Sequence, residues 1–285
     1  ADELSLYGRF DFILAKDGTP KILEFNADTP TSLLEASVIQ WQWKEDVFPE
    51  CDQFNGIHEG LVQSWKDIFP KKGEIYFAGA LENNEDTGTL QYLASTAMEA
   101  GFSTRVLDMQ ALDLQNGRFF DPAGELVNRC FKLYPWEWMV DESPDGCLAE
   151  MEWLEPIWKL VMSNKAILAT LYELFPDSPY VLPCYLSRPR SGLFCKKPVF
   201  SREGHNVSVV DIRNWEEHVR IAETEGDYNT GAYVYQEYVE PTVYSGRYPV
   251  IGSWIIGGEA AGIGIRENRM EVTDNLSEFV PHIIG

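Results

Sequence analysis

The sequence predicts an α+β fold whose C-terminal half is a largely antiparallel sheet with few helices. Three observations carry that expectation: two apolar segments around a turn near the start, one strand–helix–strand pattern between Glu74 and Asp108, and a run of strand segments from Gly192 onward. The 285 residues are 45% hydrophobic and include 9 Trp, 13 Tyr and 15 Phe, enough for a substantial core and too aromatic for a disordered chain.

Residues 6–14 read as a strand, Lys16-Asp-Gly-Thr-Pro20 supplies a turn, and residues 21–26 read as the returning strand of a hairpin. Pro30 and Ser32 introduce a helix, with Ser32 and Glu35 at capping-box spacing ahead of Leu33, Leu34, Val38 and Trp41. A second helix spans about residues 54–69 and stops at Pro70. Strand 75–80, helix 89–100, a stop at Gly101 and strand 104–107 make one βαβ unit, which requires a parallel pair with a right-handed crossover. Asn116-Gly117 and Asp121-Pro-Ala-Gly124 punctuate short strands that end in the aromatic run Tyr134-Pro-Trp-Glu-Trp138. The polar stretch 141–146 is the candidate boundary between a first region, 1–146, and a second, 147–285. Beyond it, helices are expected over 150–161, 165–174 and 215–225. Strands are expected over 192–200, 207–211, 232–239, 250–256 and 262–266.

A net charge of −22 excludes a general affinity for nucleic acid or anionic membrane, since phosphates are drawn to basic surface. Such a charge suits basic substrates or metal cations as partners, and plain solubility is the favoured explanation of it. The longest apolar stretch, 250–265, is broken by Glu259 and several glycines and is too short to span a membrane. No basic-then-apolar leader opens the chain, and the five scattered cysteines lack a C-x-x-C pair, so reduced thiols and a cytoplasmic location are expected.

Four polar groups of the hairpin can share one sheet face. Arg9 and Asp11 are two apart, as are Glu24 and Asn26, and pairing around Asp17-Gly18 brings the two sets together. An all-oxygen set beside a cation suits Mg²⁺ held jointly with substrate phosphates, although a solvated polar face has the same spacing. In the segment from Phe194 to Val207, a strand delivers Lys196 and Lys197 to opposite faces, and a turn follows with Ser201, Arg202, Gly204 and Asn206. That is either a backbone cradle for polyphosphate or an ordinary hairpin, and it is neither a Walker A nor a Rossmann loop. The alternating strand Tyr233-Val-Tyr-Gln-Glu-Tyr-Val-Glu-Pro241 can border an adenine ring or simply be an edge strand, and Arg266 can complete a phosphate site or an ion pair. No G-x-S-x-G elbow or H-E-x-x-H helix offers another chemistry.

Taken together and in order, Tyr7-Gly-Arg-Phe-Asp-Phe12, Leu23-Glu-Phe-Asn-Ala-Asp-Thr-Pro30, Asn164-Lys-Ala-Ile-Leu168, Lys197-Pro-Val-Phe-Ser-Arg-Glu-Gly-His-Asn206 and Gly262-Ile-Gly-Ile-Arg266 resemble the synthetase domain of the glutathionylspermidine synthase family. The resemblance covers essentially the whole chain and is nearest to stand-alone bacterial acid–amine ligases. It implies an ATP-grasp fold with the nucleotide between two mixed or antiparallel sheets and a small pre-ATP-grasp-like βαβ region. It also implies a chain missing a leading segment. By matching motif it places two Mg²⁺ ions on Asp11, Glu24 and Asn26, and Arg9 and Arg266 at the transferring phosphate, Arg9 also where the acid meets it. ATP falls to Lys165, Lys197, Ser201, Arg202, Gly204, Asn206, the segment Gln236, Glu237, Tyr238 and Val239, and Glu271, Val272 and Thr273. Thr29 falls at the peptide-acid position, and Glu85 and Asp86 fall where a polyamine is received. The implied partners are a small-molecule or peptide carboxylate and an amine, with no nucleic acid and no membrane. The implied activity is ATP-dependent amide formation; a kinase, or a catalytically silent nucleotide-binding or assembly protein, would use the same scaffold. Two departures from the spermidine enzyme stand out: Leu133 replaces a hydroxyl residue, and the turn Arg202-Glu-Gly-His lacks a cysteine.

Overall fold

The computed structural model describes residues 3–202, 204–221, 224, 231–270 and 277–285. Parallel and antiparallel strands are segregated, as an α+β chain requires. The first antiparallel sheet has the strand order Glu278–Val280, Glu259–Asn268, Tyr248–Ile256, Tyr7–Leu14, Pro20–Asn26. The opening hairpin therefore joins strands from the far end of the sequence. The second antiparallel sheet runs Cys184–Tyr185, Tyr233–Glu237, Gly192–Pro198, Ser208–Arg213, Glu216–Ile221. A four-stranded parallel sheet is ordered Ser103–Asp108, Glu74–Gly79, Arg129–Leu133, Glu152–Leu154. A small meander, Asp113–Gln115, Arg118–Phe120 and Leu126–Val127, makes a fourth sheet.

The main core lies between the first antiparallel sheet and the parallel sheet. The helices Ile57–Ile68 and Asn84–Glu99 fill that space, burying Ile57, Leu61, Trp65, Leu90 and Leu93 against Phe77, Phe131, Trp254 and Ile256. The Trp65 indole donates to Thr96 Oγ1 at 2.9 Å, so the one polar atom of this large side chain is satisfied inside the core. Asn83 caps the second of these helices by accepting from the Glu85 N–H.

Several expectations need correction. The Ser32–Glu35 capping box is not formed: Ser32 adopts φ 65°, the next turns open into a π-helix over Glu35–Ile39, and no side chain caps it. The helix expected over 150–161 is instead the parallel strand Glu152–Leu154 followed by a short helix, Lys159–Ser163, because Pro156 interrupts the helical run. Over its described residues, the helix expected at 215–225 is the strand Glu216–Ile221. Asn214 and Trp215, at φ 50° and 72°, form a left-handed turn that folds it back on Ser208–Arg213. The aromatic run at 134–138 opens a helix, Trp136–Glu142, and residues of the polar stretch 141–146 belong to that helix and to Pro144–Cys147. Two sheets contain strands from both sides of residue 146. The five cysteines are free thiols, and among the described residues no helix is long and apolar enough to cross a membrane.

Candidate functional site: a charged sheet floor beneath a second sheet

The hairpin register places Arg9 opposite Asn26 and Asp11 opposite Glu24, with a bulge immediately after Asp11. The four polar groups therefore meet on one face. Arg9 donates through Nε and Nη2 to both oxygens of Asp11, at 2.6 and 2.9 Å, and through Nη1 to the Thr31 carbonyl. Its guanidinium also lies 5.7 Å from the centre of the Trp254 ring. Arg9 is 4% exposed and Asp11 2%, so this bidentate pair is fixed by burial as well as by hydrogen bonds. Burial works against the Arg9 charge, and Asp11 more than restores it, raising the guanidinium pKa.

Glycine makes this geometry possible at one position. Gly252 lies opposite Asp11 on the neighbouring strand, and a Cβ there would come within 2.7 Å of Arg9 Cδ. The absent side chain leaves the groove in which Arg9 lies. One strand further out, Arg266 reaches back to Asp11 Oδ2 at 2.8 Å, bringing two guanidinium groups onto one carboxylate.

Glu24 takes the other side of the floor. Lys165 approaches its Oε2 at 3.1 Å, and Asn26 Nδ2 lies between Asp11 Oδ2 at 3.2 Å and Glu24 Oε1 at 3.3 Å. Burial pushes the Glu24 pKa up, but Lys165 and Lys197, with hydrogen bonds from Lys165 and Asn26, together bring it down to about 2.

The second sheet is clasped to this floor. Lys197 donates to the Leu23 carbonyl at 3.0 Å and to Gln236 Oε1 at 2.7 Å, while Gln236 Nε2 donates to the Ile22 carbonyl at 2.8 Å. Lys165 additionally donates to the Ser201 carbonyl at 2.6 Å. Lys196 points the other way, to Glu217 at 2.9 Å, as the alternation of a strand requires.

Between the sheets lies a cleft with about 870 Å³ of empty volume, lined by Asp11, Glu24, Lys165, Lys197, Gly204, Gln236, Glu237, Tyr238 and Val239 among others. Ser201 and Arg202 line a neighbouring cavity with Asn26, Thr29 and Glu137 instead. Gly204 and Asn206, at φ 70° and 55°, make the turn between these walls, with Asn206 buried. The N–H groups of Glu237 and Tyr238 are taken by the Pro183 and Leu193 carbonyls, so neither is available to a ligand. Glu85 and Asp86 sit in the first turn of the helix Asn84–Glu99 and line neither cavity. Glu271, Val272 and Thr273 lie outside the described residues.

Sequence reasoning missed several residues that shape the site. Lys132 Nζ meets Asp28 Oδ1 at 2.7 Å, with both side chains essentially fully buried, and Asp28 Oδ2 accepts from the Trp136 N–H. Glu155 accepts from the Leu6 and Tyr7 N–H groups, and Lys159 donates to the Tyr7 and Ala27 carbonyls. These buried charges pin both hairpin strands where they approach Arg9. No local motif signals them, because each pair joins segments more than a hundred residues apart.

As a metal site, the donor set is two carboxylates and an amide. Among the described residues, no group of three or more His, Cys, Asp or Glu is clustered to hold an ion. The all-oxygen chemistry fits Mg²⁺ that completes its shell with substrate phosphates. The Asn26 amide N–H groups between the two carboxylates occupy the place where a cation would be attracted, and exchanging the amide's two ends would turn its oxygen inward.

Two antiparallel sheets enclosing a charged cleft, beside a parallel α/β unit, define a mixed α/β architecture. The glutathionylspermidine synthase preATP-grasp family matches residues 1–285, and the chain belongs to the glutathionylspermidine synthase family. It is 39% identical to the "Putative acid–amine ligase" of Haemophilus influenzae, over 97% of this chain and 74% of that protein. It is 28% identical to the trypanothione synthetase of Crithidia fasciculata and 26% identical to the bifunctional glutathionylspermidine synthetase/amidase of Escherichia coli. Those matches cover 95% and 97% of this chain but 46% and 49% of the longer proteins. Its fold is similar to that of a glutathione synthetase-like effector from Globodera pallida, at TM-score 0.62 and 10% identity, over 99% of this chain and 77% of the other. With relatives named as ligases and synthetases, the protein is an enzyme of the ligase class.

Proposed function

We propose that this enzyme is an ATP-dependent carboxylate–amine ligase that forms an amide through an acyl phosphate, with ATP lying between the two antiparallel sheets in the ATP-grasp manner. The observation that carries the reading is the convergence of Arg9, Arg266, Lys165 and Lys197 on a cleft whose floor holds Asp11 and Glu24. Lys165 and Lys197 line that cleft, and Arg9 and Arg266 reach its floor through Asp11, in a protein with a net charge of −22. An anionic polyphosphate is thereby drawn to the cleft and repelled from most of the remaining surface.

In this reading, Lys197 and Lys165 hold the phosphates, and Gln236 to Val239 border the adenine. Asp11, Glu24 and Asn26 hold Mg²⁺, which neutralises charge on the phosphate oxygens when bound. Arg9 and Arg266, already anchored on Asp11, stabilise the equatorial oxygens of the transferring phosphoryl group. The acid's carboxylate oxygen attacks the γ-phosphorus and ADP leaves. The amine nitrogen then attacks the acyl carbon, inorganic phosphate leaves, and the nitrogen loses a proton. The turn from Ser201 to Asn206 shields the acyl phosphate from water. The acid is a small or peptide carboxylate that meets Thr29, and the amine is of the polyamine class.

The test is ADP release by the protein with Mg²⁺, peptide acids such as glutathione, and polyamines. Release that needs acid and amine together, and formation of a hydroxamate when hydroxylamine replaces the amine, is the expected result. A phosphoester product without amide or hydroxamate would replace the ligase by a kinase.

A further inference from the structure

Arg202, in the connection between the strands Gly192–Pro198 and Ser208–Arg213 of the second sheet, does not line the nucleotide cleft. Its Nε and Nη2 donate to the same oxygen of Glu137, at 3.2 and 2.5 Å, and its Nη1 donates to Thr29 Oγ1 at 2.6 Å. The indole of Trp138 lies 5.8 Å from the guanidinium carbon. The Nε–Nη2 edge is the one a guanidinium offers to a carboxylate in fork-on-fork pairing, and here a side chain of the protein holds it. Beside the pair lies a cavity with about 390 Å³ of empty volume, walled by Asn26, Thr29, Leu160, Ser163 and Phe200. Asn26, the amide assigned to the metal, and the Arg202–Glu137 pair line this same cavity. A bound acid with its reacting carboxylate toward Asn26 would therefore meet Arg202 with any second carboxylate, and would find the edge taken.

Resting on the ligase reading for the identity of the bound class, we propose that Glu137 is a built-in stand-in for a substrate carboxylate. It occupies the bidentate edge of Arg202 until a carboxylate of the acid displaces it. Both partners are only about a quarter exposed, so the exchange swaps one desolvated ion pair for another and leaves the guanidinium charge matched throughout. Acids carrying a second carboxylate can make that exchange, whereas monocarboxylates cannot. Glu137 thus sets a threshold that selects among acids.

The experiment is calorimetric binding of glutathione, a dicarboxylate, to the full chain, to Glu137→Gln and to Glu137→Asp, each with Mg²⁺ and a non-hydrolysable ATP analogue. Glu137→Gln should bind glutathione roughly tenfold more tightly, since an incoming carboxylate no longer competes with a charged partner. Glu137→Asp should stay near the parent, and affinity for the ATP analogue should remain within about twofold in all three, which also checks folding. The gain should vanish for the glutathione diester, whose carboxylates are masked. Equal or weaker glutathione binding by Glu137→Gln with nucleotide binding intact would overturn the proposal and leave Glu137 as a residue that merely positions Arg202. An equal gain with the diester would overturn it too. The measurement involves no turnover, so its failure leaves the ligase assay standing, and a failed ligase assay does not decide it.

Discussion

The floor of the cleft and the neighbouring cavity are built differently. On the floor, Arg9 and Asp11 are buried, bidentate and supported by Trp254 and by the Gly252 groove. In the neighbouring cavity, Arg202 and Glu137 are about a quarter exposed and meet through one carboxylate oxygen. The contrast separates a preorganised electrostatic surface, suited to the phosphoryl transfer proposed above, from a contact weak enough to be exchanged.

That contrast can be broken by mutation, most strongly on the floor. Asp11→Asn leaves Arg9 without its buried counter-charge; unfolding free energy should fall by about 3–5 kcal/mol in denaturant titrations, and ADP formation should drop by roughly a hundredfold or more. Arg202→Ala in the neighbouring cavity should change stability by less than about 1 kcal/mol, and an equal loss at both sites would erase the distinction. Lys132→Met tests whether the parallel unit supports the floor: Asp28 is left buried and unpaired, and a loss of about 3 kcal/mol is expected by thermal or chemical denaturation. Gly252→Ala should fold, yet reduce turnover by about tenfold to a hundredfold by pushing Arg9 aside, with nucleotide affinity little changed.

The smallest effects are in pH dependence. Glu24 is held at about 2 in the folded protein, below its ordinary value of 4.5. Its contribution to stability is therefore full above 4.5 and is lost as pH falls from there toward 2, so Glu24→Gln should flatten the stability profile in that window. His282 is shifted the other way from a typical paired histidine: burial lowers its pKa from 6.5. The unfolded chain then binds the proton first, stability declines as pH falls below about 6.5, and His282→Gln should reduce that decline in equilibrium unfolding at pH 5 relative to pH 7.

What the sequence made legible follows the range of the interactions. The hairpin and its register were readable because Asp17-Gly18 and the two-residue spacings of Arg9, Asp11, Glu24 and Asn26 are local signals. Alternation likewise put Lys196 and Lys197 on opposite faces of one strand, while only the family resemblance said which of them meets the cleft. The turn at Asn214-Trp215 was not, since Trp at positive φ is an uncommon turn residue and its neighbours allow a helix. Glu152–Leu154 was hidden because three residues carry too little periodicity, and only its parallel partner Arg129–Leu133 makes it a strand. Glu137, Asp28 and Gly252 matter through partners distant in sequence, and nothing in their immediate surroundings marks them.

The pairing of Arg266 with Asp11 spans 255 residues, and the strand carrying Asp11 finds a neighbour in Tyr248–Ile256. During synthesis, the first hairpin therefore emerges long before the strands that complete its sheet. Closing so long a loop is entropically slow, and contacts of this separation form late. Until then the apolar face and free backbone edge of that hairpin are open to wrong partners, which makes the nascent chain a natural client for chaperones. The charged floor of the cleft is thus among the last parts of the molecule to exist.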